Sequence, residues 1–165
     1  MNKAFSFFPG CSYHSTAVSY AESTRFVAGC LGIELYEIKD WNCCGASAAP
    51  TVNDDLMYSL STRNLALSED QHPYLPVMTP CTGCYAALKR AEVKTKADAS
   101  YRTHINKLIE MNYRGTAHVI SLLDALTEEE MIQEIVDHLK KQLGGMKVAC
   151  YYGCGQVRPQ EITKA

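Results

Sequence analysis

Five cysteines spaced as C-x31-C-C-x36-C-x2-C constrain this chain more than any other feature. They are Cys11, the adjacent pair Cys43 and Cys44, and Cys81 with Cys84. For these thiols to act together, three loops far apart in sequence must end at one place. That demands a fold that brings the chain back to the same edge again and again. Near the C-terminus, Tyr151-Tyr152-Gly153-Cys154 repeats the form of Phe8-Pro9-Gly10-Cys11, so a second ladder begins there. Cys30 and Cys150 stand outside both patterns and read as packed thiols, one on a helix and one on a strand.

A chain of 165 residues can bury one sizeable core, and 47% hydrophobic with 21% charged residues is ordinary for a globular protein. A net charge of -2 gives no reason to expect nucleic acid. No apolar run reaches the roughly 18–20 residues of a membrane span, so no direct membrane insertion is expected. The first residues lack the apolar stretch and small-residue cleavage site of a signal peptide. A cytoplasmic location follows as the expectation. There, thiols stay reduced, and clustered cysteines point to metal binding or catalysis rather than to structural disulfides.

The intervals between the cysteines have the length of strand–helix units. Residues 4–8 read as a buried strand stopped by Pro9-Gly10. A helix is expected over about 15–30, with Val18, Phe26 and Leu31 toward the core and Gly32 as the stop. Residues 34–38 alternate as a strand, and the loop after it carries Cys43-Cys44-Gly45. A helix over 54–69 has Asn53 or Thr51 as cap, with Leu56, Leu60, Asn64 and Leu67 along one side. Residues 75–79 form a third strand, Cys81 and Cys84 sit at its end, and a helix starts near Tyr85. One or two helices run through the basic stretch Lys89–Lys107 to Tyr113. Residues 119–123 fit either strand or helix. A helix over 128–143, capped by Thr127 and ended by Gly144-Gly145, precedes a strand over 146–151. The fold class is therefore α/β: a short parallel sheet with flanking helices. Its cysteine loops lie at the C-terminal edge of the strands, where ligands of such sheets bind.

Thiolates are soft ligands that suit zinc and iron–sulfur centres, and four suffice for a common 4Fe–4S cluster. Here there are five. The adjacent Cys43-Cys44 pair is awkward for a tetrahedral zinc site, because neighbouring side chains diverge in extended backbone. Zinc stands as the alternative metal. A metal-free dithiol formed by Cys81 and Cys84 at a helix start is a further reading.

These stretches together resemble the cysteine-rich CCG domain found in the B-type subunit of heterodisulfide reductase. The motifs that carry the likeness are Phe8-Pro9-Gly10-Cys11, Cys43-Cys44-Gly45, Cys81-Thr82-Gly83-Cys84 and Tyr151-Tyr152-Gly153-Cys154. The resemblance implies a non-cubane 4Fe–4S cluster held by Cys11, Cys43, Cys44, Cys81 and Cys84, with Cys154 matching the first ligand of an incomplete second cluster. It implies a division into a first CCG domain with its following helices at 1–145, and the start of a truncated second one at 146–165. It also implies partners: the iron–sulfur and flavin subunits of a heterodisulfide reductase-like complex, and a small-molecule disulfide as substrate. The expected function is an oxidoreductase subunit that passes electrons to a disulfide, with the fragment alone inactive. A non-catalytic metal-binding or electron-transfer module is the alternative.

His14, three positions after Cys11, is a candidate proton donor to a departing thiol; its duller reading is a surface residue. Trp41 either shields the centre or fills core. The basic run from Lys89 to Lys107 reads as a solvated helix face.

Overall fold

Apolar β-forming runs alternate with longer helical segments, and a computed structural model places them as the sequence predicts. The structure describes residues 3–141, 144–151 and 153–163. Strands β1 (Ala4–Phe7), β2 (Glu34–Glu37), β3 (Val77–Thr79) and β4 (Val119–Ser121) form one four-stranded parallel sheet in the order β2-β1-β3-β4. Phe7 lies opposite Glu37 on one side and Met78 on the other. The two central strands are buried almost throughout, as parallel strands covered on both faces must be. The edge strand β2 exposes Glu34 and Tyr36 instead.

Helices cover both faces. On one side α3 (Asp54–Gln71), α4 (Thr82–Ala97) and α5 (Ala99–Ile109) pack against Phe8, Ile38, Val77 and Val119. On the other, α1 (Val18–Cys30), α6 (Leu122–Leu126) and α7 (Glu129–His138) enclose Phe5, Phe7 and Met78. Short helical turns complete the chain: a 3-10 turn at Cys11–His14, α2 (Ala49–Val52), α8 (Cys154–Val157) and α9 (Gln160–Thr163). Among the described residues no helix is long and apolar enough to cross a membrane.

Several local expectations are corrected. Helix α1 begins at Val18, not near residue 15, and Val18 and Phe26 face outward. Its buried side carries Ala21, Thr24 and Ala28, small residues that let the helix lie close on the sheet. Helix α4 starts at Thr82, so Cys84 lies in its first turn. Helix α7 stops at His138; of the predicted continuation, Gln142 and Leu143 lie outside the described residues. Thr127 closes α6 rather than capping α7, its hydroxyl donating to the Leu123 carbonyl at 2.8 Å. Residues 146–151 form no strand. Met146, Val148 and Tyr151 are exposed, and an apolar strand pattern without a neighbouring strand has nothing to hold it extended.

The last strand is secured by two buried carboxylates. Glu69 of α3 accepts hydrogen bonds from the N–H groups of Arg114 (2.8 Å), Thr116 and Ala117 (3.1 Å), and from the Thr116 hydroxyl at 2.7 Å. Glu92 of α4 accepts from Val119 N–H at 2.8 Å, while Lys89, paired with Glu92 at 2.8 Å, donates to the Val119 carbonyl at 3.0 Å. The His118 carbonyl is bound by β3. The two Val119 groups therefore face the open edge, where the ion pair stands in for a fifth strand.

Burial pushes the Glu92 carboxyl upward, but hydrogen bonds from Lys89, Lys96 and Val119 outweigh it and hold the group below its ordinary value. A depressed carboxyl contributes stability above its unfolded pKa and loses it as pH falls through the folded value. Glu92→Ala should cost about 3 kcal/mol near neutral pH, because it leaves a buried lysine unpaired. Urea denaturation at pH 7 and at pH 3 checks this. The gap between variant and native protein should shrink at pH 3, and a gap that widens there would contradict the assignment.

Candidate metal centre

Each strand that points toward the thiols ends in a loop with its own reason for turning. After β1, Phe8 stays buried with its ring 5.5 Å from that of Trp41. Gly10 then adopts φ 79°, and a Cβ there would stand 2.9 Å from Cys84 Sγ. Backbone and space thus both require glycine, and Cys11 follows on an exposed turn.

The loop after β2 is the least regular and is laced to α3. Gln71 grips both backbone groups of Lys39, at 2.7 and 2.9 Å. Asn64 does the same for Asn42: its Oδ1 accepts from Asn42 N–H at 2.9 Å and its Nδ2 donates to the Asn42 carbonyl at 2.9 Å. Arg63 donates to the Asp40 carbonyl at 2.7 Å, and Ser61 to the Cys44 carbonyl at 2.9 Å. Cys43 and Cys44 are held between these clamps, Cys43 exposed and Cys44 buried. After β3, Cys81 occupies the N-cap of α4 without any side-chain capping bond, and the buried Cys84 sits one turn in.

The structure brings all five ladder thiols into one linked set. Cys44 and Cys84 are 3.2 Å apart, sulfur to sulfur. Cys81 and Cys84, Cys43 and Cys44, and Cys11 and Cys43 lie near enough for each thiol to shift the other's ionisation. These contacts divide the protons unequally. The bond with Cys84 brings Cys44 down to about 7 against the effect of burial, helped by Ala46 N–H. Cys81 falls to about 5, chiefly through its neighbour Cys84 and against the effect of burial, with the nearby N–H groups of Cys84 and Gly83 adding to the fall. Cys84 is driven up, squeezed by Cys44, by Cys81 and by its own burial. Gly45 N–H pulls Cys43 down, but burial together with Cys44 and Cys11 raises it on balance. With Cys44 and Cys81 pulled down beside a raised Cys84, the set favours negative charge that a cationic group would relieve. Among the described residues, no three or more His, Cys, Asp or Glu side chains surround a single point as ligands of one ion.

The other candidates lie apart from this set. Cys30 and Cys150 are exposed rather than packed, a correction of both expectations. Cys30 falls at the end of α1 on its outward side, and Cys150 on the extended segment that never joins a sheet. Cys154 is exposed too, yet Gly153 before it repeats Gly10 in backbone geometry, with φ 72° and ψ 149° against 79° and 160°. Its turn rests on α4, where a Cβ on Gly155 would meet the Thr82 carbonyl at 3.5 Å, and Gln156 donates to Ser121 Oγ at 2.7 Å. Tyr152 lies outside the described residues. His14 stacks on Trp41 at 5.8 Å and turns its Nε2 toward Glu37, 3.5 Å away. In the basic run, Lys89 is buried rather than solvated. The clamps Gln71, Arg63 and Ser61 carry no signal in the sequence pattern. Asn64 does, as a polar residue on the inward side of an apolar helix stripe.

A parallel α/β domain with thiols gathered at the carboxyl edge of its strands defines a cysteine-ligand domain. The family model described as a cysteine-rich domain, CCG, matches residues 5–89, and the chain belongs to this family. It is 40% identical over 164 residues to the membrane anchor subunit of 8-methylmenaquinol:fumarate reductase of Wolinella succinogenes, covering 98% of this chain and 56% of the relative. It is 28% identical over 165 residues to the B-type subunit of the ferredoxin:CoB-CoM heterodisulfide reductase of Methanosarcina mazei, covering 98% and 54%. A protein of Archaeoglobus profundus, named as like the same heterodisulfide reductase subunit, is 26% identical over 162 residues, covering 96% and 54%. The chain spans about half the length of these curated relatives.

The clamps predict a local effect. Asn64→Ala leaves the half-buried Asn42 backbone without its amide partner and should cost about 1–2 kcal/mol. It should also raise the alkylation rate of the buried Cys44 in the metal-free, reduced protein, read by peptide mass mapping. Unchanged protection of Cys44 would show that the loop holds without its amide clamp.

Proposed function

We propose that this chain is an iron–sulfur electron-transfer subunit of a reductase complex of the heterodisulfide reductase type, acting on a disulfide or a related small molecule. The observation that carries this reading is the linked set of five thiols at the carboxyl edge of a parallel sheet. Membership of the CCG family and likeness to named reductase subunits support it. Residues 1–145 serve as the first domain and 146–165 open a second, in which Cys154 holds the place of Cys11. The partners are iron–sulfur and flavin subunits; the location is cytoplasmic, with any membrane contact made through a partner.

In this reading Cys11, Cys43, Cys44, Cys81 and Cys84 hold a 4Fe–4S cluster of non-cubane type. When bound, such a cluster supplies one-electron transfer. The protein's part is to hold and protect. Cys84 gives up its proton on loading, because the thiolate is the ligand. Gly10 leaves room for its sulfur, and the unpaired N–H groups at the start of α4 offset the charge at Cys81 and Cys84. Phe8 and Trp41 wall the loop side against water.

Anaerobic reconstitution with iron and sulfide should load about four irons per chain, with an EPR signal after oxidation. Cys44→Ser should lose most of that iron and Cys30→Ser should keep it. Stoichiometric zinc with no iron uptake would overturn the reading. A second reading has its own observation, the low thiol of Cys81 beside Cys84: metal-free disulfide reduction. Turnover by iron-free protein that is abolished in Cys81→Ser would favour it.

A further inference from the structure

Two neighbouring cavities lie on the α1 side, the inner one against the thiols, and among the described residues neither wall has an Asp, Glu, Lys, Arg or His side chain. The inner one, about 260 Å³, is bounded by Gly10, Cys11, Tyr13, Ala17, Tyr20 and Cys81. The outer one, about 230 Å³, lies between α1 and α6 against Thr24, Val27, Ile33, Met78, Leu123 and Leu126. Tyr20 belongs to both walls. Each alone is below the roughly 300 Å³ at which small-molecule sites begin, and joined past Tyr20 they exceed it.

The polar atoms of these walls are largely spent within the fold. The Tyr13 hydroxyl donates to the Ala21 carbonyl at 3.0 Å, and the Thr24 hydroxyl to the Tyr20 carbonyl at 2.8 Å. Tyr20 is half-exposed, and its hydroxyl reaches the Pro80 carbonyl only at 3.4 Å, a long bond that leaves the ring free to swing. Two other cavities differ in kind: one holds Glu69, Arg114 and His118, the other Lys89, Glu92, Lys96 and Asp124. Among these four cavities, a lining without such charges is particular to the thiol side. Val27 and Leu123 remain exposed at the outer mouth, although each has carbon surface to bury.

We infer that the two cavities form one site for a neutral, carbon-chain ligand. Its reactive end meets the Cys81 side of the thiol set, and its tail passes Tyr20 into the groove between α1 and α6. The inference rests on the thiol set being the reactive centre, and it excludes substrates that carry charge close to the reacting atom.

The test compares three alkylating probes on the reduced, iron-free chain under anaerobic conditions: iodoacetamide, N-hexyl iodoacetamide and iodoacetate. Peptide mass mapping reads the rates at Cys81, which lines the inner cavity, and at Cys43, which lines neither. The hexyl probe should label Cys81 faster than iodoacetamide by on the order of ten-fold, the yield of burying about two methylenes. At Cys43 the two should be nearly equal, and iodoacetate should be the slowest probe at Cys81. Leu123→Glu and Val27→Glu, both at exposed positions, should each collapse the hexyl advantage at Cys81; circular dichroism confirms that they fold. An equal ratio at both cysteines, or a ratio that survives both variants, overturns the site. Iron uptake is measured separately, so loss of the ratio with iron binding intact refutes the ligand site alone. Loss of iron binding with the ratio intact refutes the metal centre alone.

Discussion

Where the chain leaves the sheet it loses its backbone partners, and in this protein side chains of α3 and α4 replace them. Gln71, Asn64 and Ser61 grip the backbone of 39–44, and Glu69 grips 114–117. Lys89 and Glu92 grip Val119. The inner clamps, from Ser61, Glu69, Lys89 and Glu92, satisfy groups whose loss of a partner would cost some 1–3 kcal/mol apiece; the Gln71 clamp on Lys39 is exposed. The irregular loops thereby acquire the rigidity of the sheet they depart from. Four short strands alone would not provide it.

That rigidity bears directly on the thiols. Five sulfurs packed side by side are unfavourable in a reduced protein, since desolvation and mutual repulsion both oppose ionisation. The fold nevertheless forces them together, with Gly10 giving way to Cys84 and the clamped loop presenting an exposed Cys43 next to a buried Cys44. The unequal sharing of protons among Cys44, Cys81 and Cys84 is the electrostatic record of that compression. A ligand set shaped before its metal arrives loses little entropy on binding it.

Much of this arrangement is legible in the sequence. Each of β1, β2 and β3 announces itself by a short apolar or alternating run ending in a turn that carries cysteine, and at that edge Cys44 and Cys84 stand 3.2 Å apart. Asn53 caps α3 as expected, its side chain accepting Leu56 N–H at 2.7 Å. What the pattern misses depends on partners distant in the chain. Size alone assigns the inward face of α1 to Val18 and Phe26, whereas close helix–sheet packing selects Ala21, Thr24 and Ala28. Residues 146–151 have the alternation of a strand, but alternation cannot say whether a partner strand is present. Glu69 and Glu92 look like surface acids, because what buries a carboxylate is a nest of N–H groups distant in sequence.

The strand order has a further consequence, for the sequence of events during synthesis. β1 emerges first yet lies between β2 and β3, so it has both partners only once residues near 79 are available. Cys11, Cys43 and Cys44 are made early and wait, unprotected, until Cys81 and Cys84 arrive on the last segment to reach the site. The arrival of β3 between β1 and β4 and the approach of its two thiols are thus a single event of high contact order. Three of the thiols are therefore made and exposed before the strand that carries the other two takes its place.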